Sequence, residues 1–197
     1  MAAPLHFWFE FASTYSYPAA MRIESEARAR GVHVEWRPFL LGPIFNDQGL
    51  PDSPFNIYEA KGAYMWRDME RICGLLDLPF RRPDPFPQNG LLGARVATAL
   101  PDAQRPAFVR ALYTAEFGRG EQISDPAVVR AALQEAGAAP DMTLAAAQSA
   151  PVKEKLREAT EQARAFGIFG APSCTVRGEL FWGNDRLEDA LDWAVKT

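Results

Sequence analysis

The sequence predicts an α/β fold in which a βαβ unit and a ββα unit build one sheet, with a large helical block between them in the chain. Three observations carry this. Leu5, Phe7, Phe9 and Phe11 alternate with His6, Trp8 and Glu10, the period-two pattern of a buried strand. Roughly a hundred residues in the middle of the chain follow helical periodicity, with Pro or Gly at most joints. Near the end, "APSCTVRGELFWG" returns to two short strand-like runs joined by Arg177-Gly178, a tight hairpin signal.

Taken in order, the first strand gives way to "FASTYSY" and then to an Ala/Arg/Glu-rich stretch that ends on Gly31, as helices do. A second strand is expected from Val32 to Trp36, so that residues 4–38 read as strand, helix, strand, one parallel-sheet unit. The segment "LGPIFNDQGLPDSPFN" that follows is too irregular for either period. Helical patterns then run from Tyr58 to Leu78, Gly90 to Leu100, Pro106 to Phe117, Pro126 to Ala136 and Val152 to Phe166. Ser124-Asp125-Pro126 joins a capping side chain to a first-turn proline. After strands at Ser173 to Val176 and Glu179 to Trp182, Asn184-Asp185 opens a last helix with Leu187, Ala190, Leu191 and Ala194 on one apolar face. Residues 1–40 and 167–197 are thus expected to form one α/β domain, and 41–166 a connecting loop and helical insertion domain.

Composition excludes several classes of function. A net charge of -4 and a pI near 5.3 supply no basic face for phosphates, so nucleic acid is not an expected partner. No apolar run approaches the ~20 residues of a membrane span, and no leader pattern opens the chain, which predicts a cytoplasmic protein with no membrane partner. The two cysteines, Cys73 and Cys174, form no CxxC pair. Cys73 continues a helical stripe with Met65, Met69, Ile72 and Leu76, and Cys174 lies in a strand, so both read as core residues. With only His6 and His33 besides, no metal site is expected.

The turn between first strand and helix holds Ser13-x-x-Ser16, where thioredoxin-like oxidoreductases place two thiols. The order βαβ, helical insertion, ββα is that of a thioredoxin-like domain interrupted by a large all-helical insertion. The motifs "FEFASTYSY", "KGAYMWRDMER", "FPQN" and "GIFGAPSCTVRGELFWGNDRLEDALDW" resemble the 2-hydroxychromene-2-carboxylate isomerases and, more distantly, the kappa-class glutathione transferases. The match spans nearly the whole chain in the right order. The resemblance implies glutathione as cofactor and Ser13, the first serine of the family's S-x-[YF]-S motif, as the catalytic residue beside its sulfur. It implies a small aromatic carboxylate as substrate, with 2-hydroxychromene-2-carboxylate and trans-o-hydroxybenzylidenepyruvate interconverted in aromatic degradation.

The chemistry of that position is consistent with the resemblance. A thiolate at Ser13 would face a helix N-terminus, where free N–H groups and the helix dipole favour negative charge. A serine can donate a hydrogen bond to that sulfur but cannot form a disulfide with it. Ser13 alone also fits a helix N-cap. Ala171-Pro172 stands before a strand, where thioredoxin-like folds place a cis-proline, and the resemblance implies that Ala171 pairs with the glutathione backbone. It also implies that Asn184 and Asp185 bind the γ-glutamyl end, although Asp185 with Glu188 fits a capping box as well.

Lys61 resembles a glutathione-contacting lysine of the kappa class and equally fits a solvated surface. Asn89 is a candidate to orient substrate, or to cap the helix after it. Arg37 could pair with the substrate carboxylate or with a neighbouring acid. Phe45, Phe55, Tyr58, Tyr64, Trp66 and Phe86 could line an apolar pocket or fill the core. The resemblance breaks after the second strand, where Leu50 or Asp52 stands in place of a kappa-class asparagine. Two other readings stay open: a kappa-type transferase or peroxidase, and a non-catalytic, chaperone-like binding protein. A homodimer is also left open.

Overall fold

In the computed structural model, which describes residues 2–196, a four-stranded mixed sheet runs in the order β2-β1-β3-β4. The central strand β1 (Leu5–Phe9) is parallel to β2 (Val34–Pro38) and antiparallel to β3 (Ser173–Val176), which pairs antiparallel with β4 (Glu179–Trp182). A central strand is covered on both faces, and β1 has a side chain for each. Phe7 and Phe9 enter the main core with Trp36, while Trp8 packs with Phe39, Leu41, Ile44, Ala163 and Ile168 on the opposite face. Each such aromatic contributes about 2 kcal/mol by leaving water.

β2 starts two residues later than the sequence predicts, at Val34 where Val32 was expected. Val32 belongs to the turn that ends α1 (Ser16–Ala29), with its N–H donating to the Ala27 carbonyl at 2.9 Å. The hairpin between β3 and β4 is as expected: Arg177 (φ 51°) and Gly178 (φ 79°) both take the left-handed conformation that suits a two-residue turn.

Eight helices lie between the two strand pairs: α2 (Leu41–Asp47), α3 (Pro54–Ile57), α4 (Glu59–Leu75), α5 (Leu91–Ala99), α6 (Arg105–Tyr113), α7 (Pro126–Glu135), α8 (Pro140–Ala147) and α9 (Ala150–Ala165). After β4 and a short 3₁₀ turn (Asn184–Arg186), α10 (Leu187–Val195) ends the fold. The sequence reading missed α2 and α3, in the segment taken as irregular, and α8. α2 is only seven residues long and α8 buries only Ala147, so neither shows a stripe. In α3, Ser53 caps a single turn. Asp125 caps α7 as expected, accepting from the Ala127 N–H at 2.8 Å.

α6 passes directly into one turn of π-helix, Thr114–Gly118, which a 3.6-residue period cannot reveal. Its residues and α6 close the core over the start of α1: Tyr113 lies 5.1 Å from Phe11 and 6.3 Å from Tyr17, ring centre to ring centre. One buried cluster therefore runs from the sheet into the inserted helices. Buried Arg105 ties them together further, donating to the carbonyls of Ala97 (2.7 Å), Leu100 (2.9 Å) and Trp36 (3.1 Å). It satisfies the end of α5 and the outer edge of β2 at once. Among the described residues, no helix is long and apolar enough to cross a membrane.

Candidate functional site

The chain leaves β1 through Glu10 and turns at Ser13, whose N–H donates to the Glu10 carbonyl at 3.0 Å. α1 begins only at Ser16, with Tyr15 in the capping position and no side-chain cap. Ser13 is therefore not the N-cap that its sequence position also allowed. Its hydroxyl instead donates to the Ala171 carbonyl at 2.8 Å. Ala171-Pro172 is cis, and the Pro172 carbonyl accepts the Gly183 N–H at 3.0 Å. The start of α1, the loop before β3 and the turn after β4 thus meet.

Asn184 and Asp185 follow Gly183 in that turn. Asn184 is buried, and its side-chain oxygen accepts from Arg22 of α1 at 3.2 Å. Asp185 is exposed and pairs with Arg186 at 3.3 Å. A side chain on Gly183, which has φ 116°, would stand 2.4 Å from the Asp185 carboxylate, so only glycine fits this turn. The expected capping box does not form: Glu188 pairs with Arg22, and no side chain caps α10.

Asn89 stands at the edge of the same region. A Cβ on the next residue, Gly90, would lie 2.9 Å from the Phe11 Cβ and 3.1 Å from the Glu10 carboxylate, so this turn sits on the segment leading to Ser13. The Asn89 side chain accepts the Leu91 N–H at 3.0 Å just ahead of α5, whose capping position is Gly90. On the other side, Tyr15 donates to Asp68 of α4 at 3.0 Å, and its ring lies 6.1 Å from Phe55. Lys61, in the first turn of α4, is exposed with its ammonium 4.7 Å above Tyr58.

Arg37 is not among the residues that meet at Ser13. It pairs with Glu35 at 2.7 Å and lies over Trp8, on the α9 side of the sheet. There it lines a groove of about 750 Å³ along β2, with His33, Asp102, Arg105 and Lys155, which shares no residue with the Ser13 turn. Of the candidate pocket aromatics, Trp66 and Phe86 stand edge to face at 4.7 Å, whereas Phe45 packs on the Trp8 side.

The sequence reading passed over two buried carboxyls behind the Ser13 turn. Glu10 reads as the polar member of an alternating strand, yet it is only 9% exposed, and burial raises its pKa to about 7 against the pull of the Ala12 and Phe11 amides. Glu116, on the π-helical turn, is fully buried, and neither of its oxygens has a hydrogen-bond partner among the described residues. Burial and then the Glu10 charge push it well above the ordinary carboxyl range. A glutamate inside the apolar run "ALYTAEFG" was the available signal.

A serine hydroxyl and a cis-proline loop facing each other at the sheet's end of α1, with no dithiol among the described residues, define a thioredoxin-fold protein whose turn carries serine. The chain belongs to the DSBA-like thioredoxin domain family, whose model matches residues 4–193. It is 29% identical over 188 residues to 2-hydroxychromene-2-carboxylate isomerase of Sphingobium xenophagum, covering 95% of this chain and 96% of that one. With glutathione S-transferase kappa 1 of Homo sapiens it shares 28% identity over 173 residues, 80% of this chain and 75% of the other. A solved structure of 2-hydroxychromene-2-carboxylate isomerase superposes with a TM-score of 0.84 at 25% identity, over 96% of this chain and 93% of that one.

Proposed function

We propose that the protein is a glutathione-dependent isomerase that interconverts 2-hydroxychromene-2-carboxylate and trans-o-hydroxybenzylidenepyruvate. The contact between Ser13 and Ala171 carries the reading, because it brings a hydroxyl donor and the main chain before the cis-proline to one place. These residues fit glutathione: a donor for sulfur, main chain for a peptide, and no thiol to be oxidised. When bound, glutathione supplies a thiolate that adds reversibly to the conjugated double bond, allows rotation about it, and is expelled unchanged.

The chain's own residues set the conditions. Ser13 turns its hydroxyl from the Ala171 carbonyl to the sulfur, and the first N–H groups of α1 favour the same negative charge. Together they lower the thiol pKa by one to two units, ~1.4 kcal/mol each. Ala171 and Pro172 hold the tripeptide main chain, and Asp185 takes its amino end. Asn89 and the aromatics of α3 and α4 flank the side from which a planar aromatic acid enters. A cytoplasmic setting, rich in reduced thiols, suits such a site.

The names of the relatives support this reading, and the kappa-class similarity favours a second, in which glutathione is consumed by transfer. Following the substrate by ultraviolet absorbance with and without glutathione tests both. Isomerisation that needs glutathione and leaves its concentration constant is expected. Loss of glutathione in step with product would favour the transferase, and conversion independent of glutathione would overturn both.

A further inference from the structure

We propose that the groove along β2 is a docking site for an acidic, extended peptide segment of a partner protein, which adds to the sheet as a short strand. The groove shares no residue with the Ser13 turn, so it can be filled whether or not that site is.

β2 is an edge strand, and the ladder fixes which of its main-chain groups face outward. The His33 carbonyl accepts the Leu5 N–H at 2.9 Å and the Phe39 N–H donates to the Phe9 carbonyl at 3.3 Å, so the odd-numbered residues pair with β1. Val34, Trp36 and Pro38 therefore turn their main chain away from the sheet. Arg105 meets the Trp36 carbonyl from that outer side at 3.1 Å, and Pro38 has no N–H to offer. The N–H and C=O of Val34 and the N–H of Trp36 remain, without a partner among the described residues. Open edges are normally covered or blunted. This one is the floor of a cavity of about 750 Å³, walled by Ala27 and Arg28 of α1 on one face and by Lys155 and Ala159 of α9 on the other. Strand addition to such an edge is a recurring way of holding a peptide.

Charge selects the occupant. Three acids line the groove, and each already has an arginine: Glu24 pairs with Arg110, Glu35 with Arg37 at 2.7 Å, and Asp102 with Arg105 at 2.7 Å. Arg28 and Lys155 are exposed and have no carboxylate partner among the described residues. The groove thus holds two uncompensated cations on a chain whose net charge is -4. A strand sends successive side chains to opposite faces. Two neighbouring acids on a docked strand would therefore reach one toward Arg28 and the other toward Lys155. A second copy of this chain suits the groove less well. Two β2 strands paired antiparallel about a two-fold axis would bring Arg28 toward Arg28 and Lys155 toward Lys155, like charges that repel.

Fluorescence anisotropy of the full chain with three labelled hexapeptides tests this: Thr-Val-Glu-Glu-Val-Thr, its Gln-Gln form and its Lys-Lys form. The acidic peptide is expected to bind at least about tenfold tighter than the glutamine form, and the lysine form more weakly still. The double variant Arg28→Glu, Lys155→Glu should reverse that order. Val34→Pro, on an edge strand that tolerates proline, removes an outward N–H and should weaken the acidic peptide at least about tenfold. Amide hydrogen exchange of the wild type, followed by NMR, gives a check that needs no variant. Saturation with the acidic peptide should slow exchange at Val34 and Trp36 and leave Glu35 and Arg37, already paired to β1, unchanged. Equal binding of the three peptides, an unreversed order in the double variant, or unchanged exchange at Val34 and Trp36 would overturn the proposal. So would no binding of the acidic peptide at ~1 mM. A dimer in sedimentation that Val34→Pro dissociates would overturn it in favour of a second copy.

Discussion

The Ser13 hydroxyl reaches the Ala171 carbonyl at 2.8 Å, across 158 positions of chain. Engaged there, it does not cap α1. Ser13→Ala should therefore leave the helix in place and cost only about 1 kcal/mol of stability, the worth of one ordinary hydrogen bond. The pKa of bound glutathione should rise by about one unit, and turnover at neutral pH should fall about tenfold. Raising the pH should restore part of it, by supplying the thiolate that the lost donor no longer favours. Ultraviolet absorbance of the bound thiolate, titrated beside turnover, checks this. Unchanged values in both would leave Ser13 as a tie between two segments.

Neither cysteine is expected to take part. Burial pushes the Cys73 thiol up to about 11 and the Cys174 thiol up to about 12, so neither is nucleophilic at neutral pH. The double variant Cys73→Ala, Cys174→Ala should keep turnover within about threefold of wild type, less than ~1 kcal/mol in barrier. Its urea midpoint should fall, because two small cavities open in the core. A tenfold loss of turnover in the folded variant would reveal a catalytic thiol.

How far the sequence shows the fold depends on how much each element buries. β1, α4 and α10 present long stripes to the core and are plain in the sequence, whereas α2, α3 and α8 are short, start at or near prolines and bury little. The start of β2 was misplaced because Val32 continues the strand alternation while its backbone closes the end of α1. At the site, Ser13, Ala171 and Asp185 lie at the ends of elements, and only the order of strands in the sheet brings them together. Individual partners are a different matter: nothing in the sequence says that Glu188 will choose Arg22 over a capping box, or that Arg37 will turn to Glu35. Glu10 was hidden by its place in an alternation that stops at Phe9, one residue before it.

Arg105 links the inserted helices to the sheet through three carbonyls, and Arg105→Met would leave all three without their donor. Hydrogen bonds to a charged group contribute about 1.5–3 kcal/mol each, but the guanidinium also costs free energy to bury, so the net loss should be about 3 kcal/mol. Arg105→Lys should recover less than half of it, since one ammonium cannot match the fork geometry. Urea denaturation of the three proteins measures the series. A loss under about 1 kcal/mol in Arg105→Met would show that water replaces the missing donors.

The buried carboxyls should also make stability depend on pH in a direction opposite to that of paired acids. Glu10 titrates at about 7 in the folded chain, against an ordinary value of 4.5. Between those values the unfolded chain has already lost the proton that the folded chain retains. Stability from this group is therefore full below about 4.5 and declines as pH rises toward about 7, by up to ~1 kcal/mol per pH unit. Above that midpoint its contribution no longer changes; Glu116, whose carboxyl burial also pushes up, adds a decline of the same sign. Glu10→Gln has no such proton to lose, so its stability should vary less with pH. Relative to the variant, the wild type should be most favoured below pH ~4.5 and have lost that advantage by pH ~8. Urea denaturation of both proteins at several pH values in this range reads the difference, with titrating groups other than Glu116, on which the Glu10 charge acts, cancelling between them. Parallel curves for the two proteins would mean that Glu10 ionises in the folded chain as easily as in water.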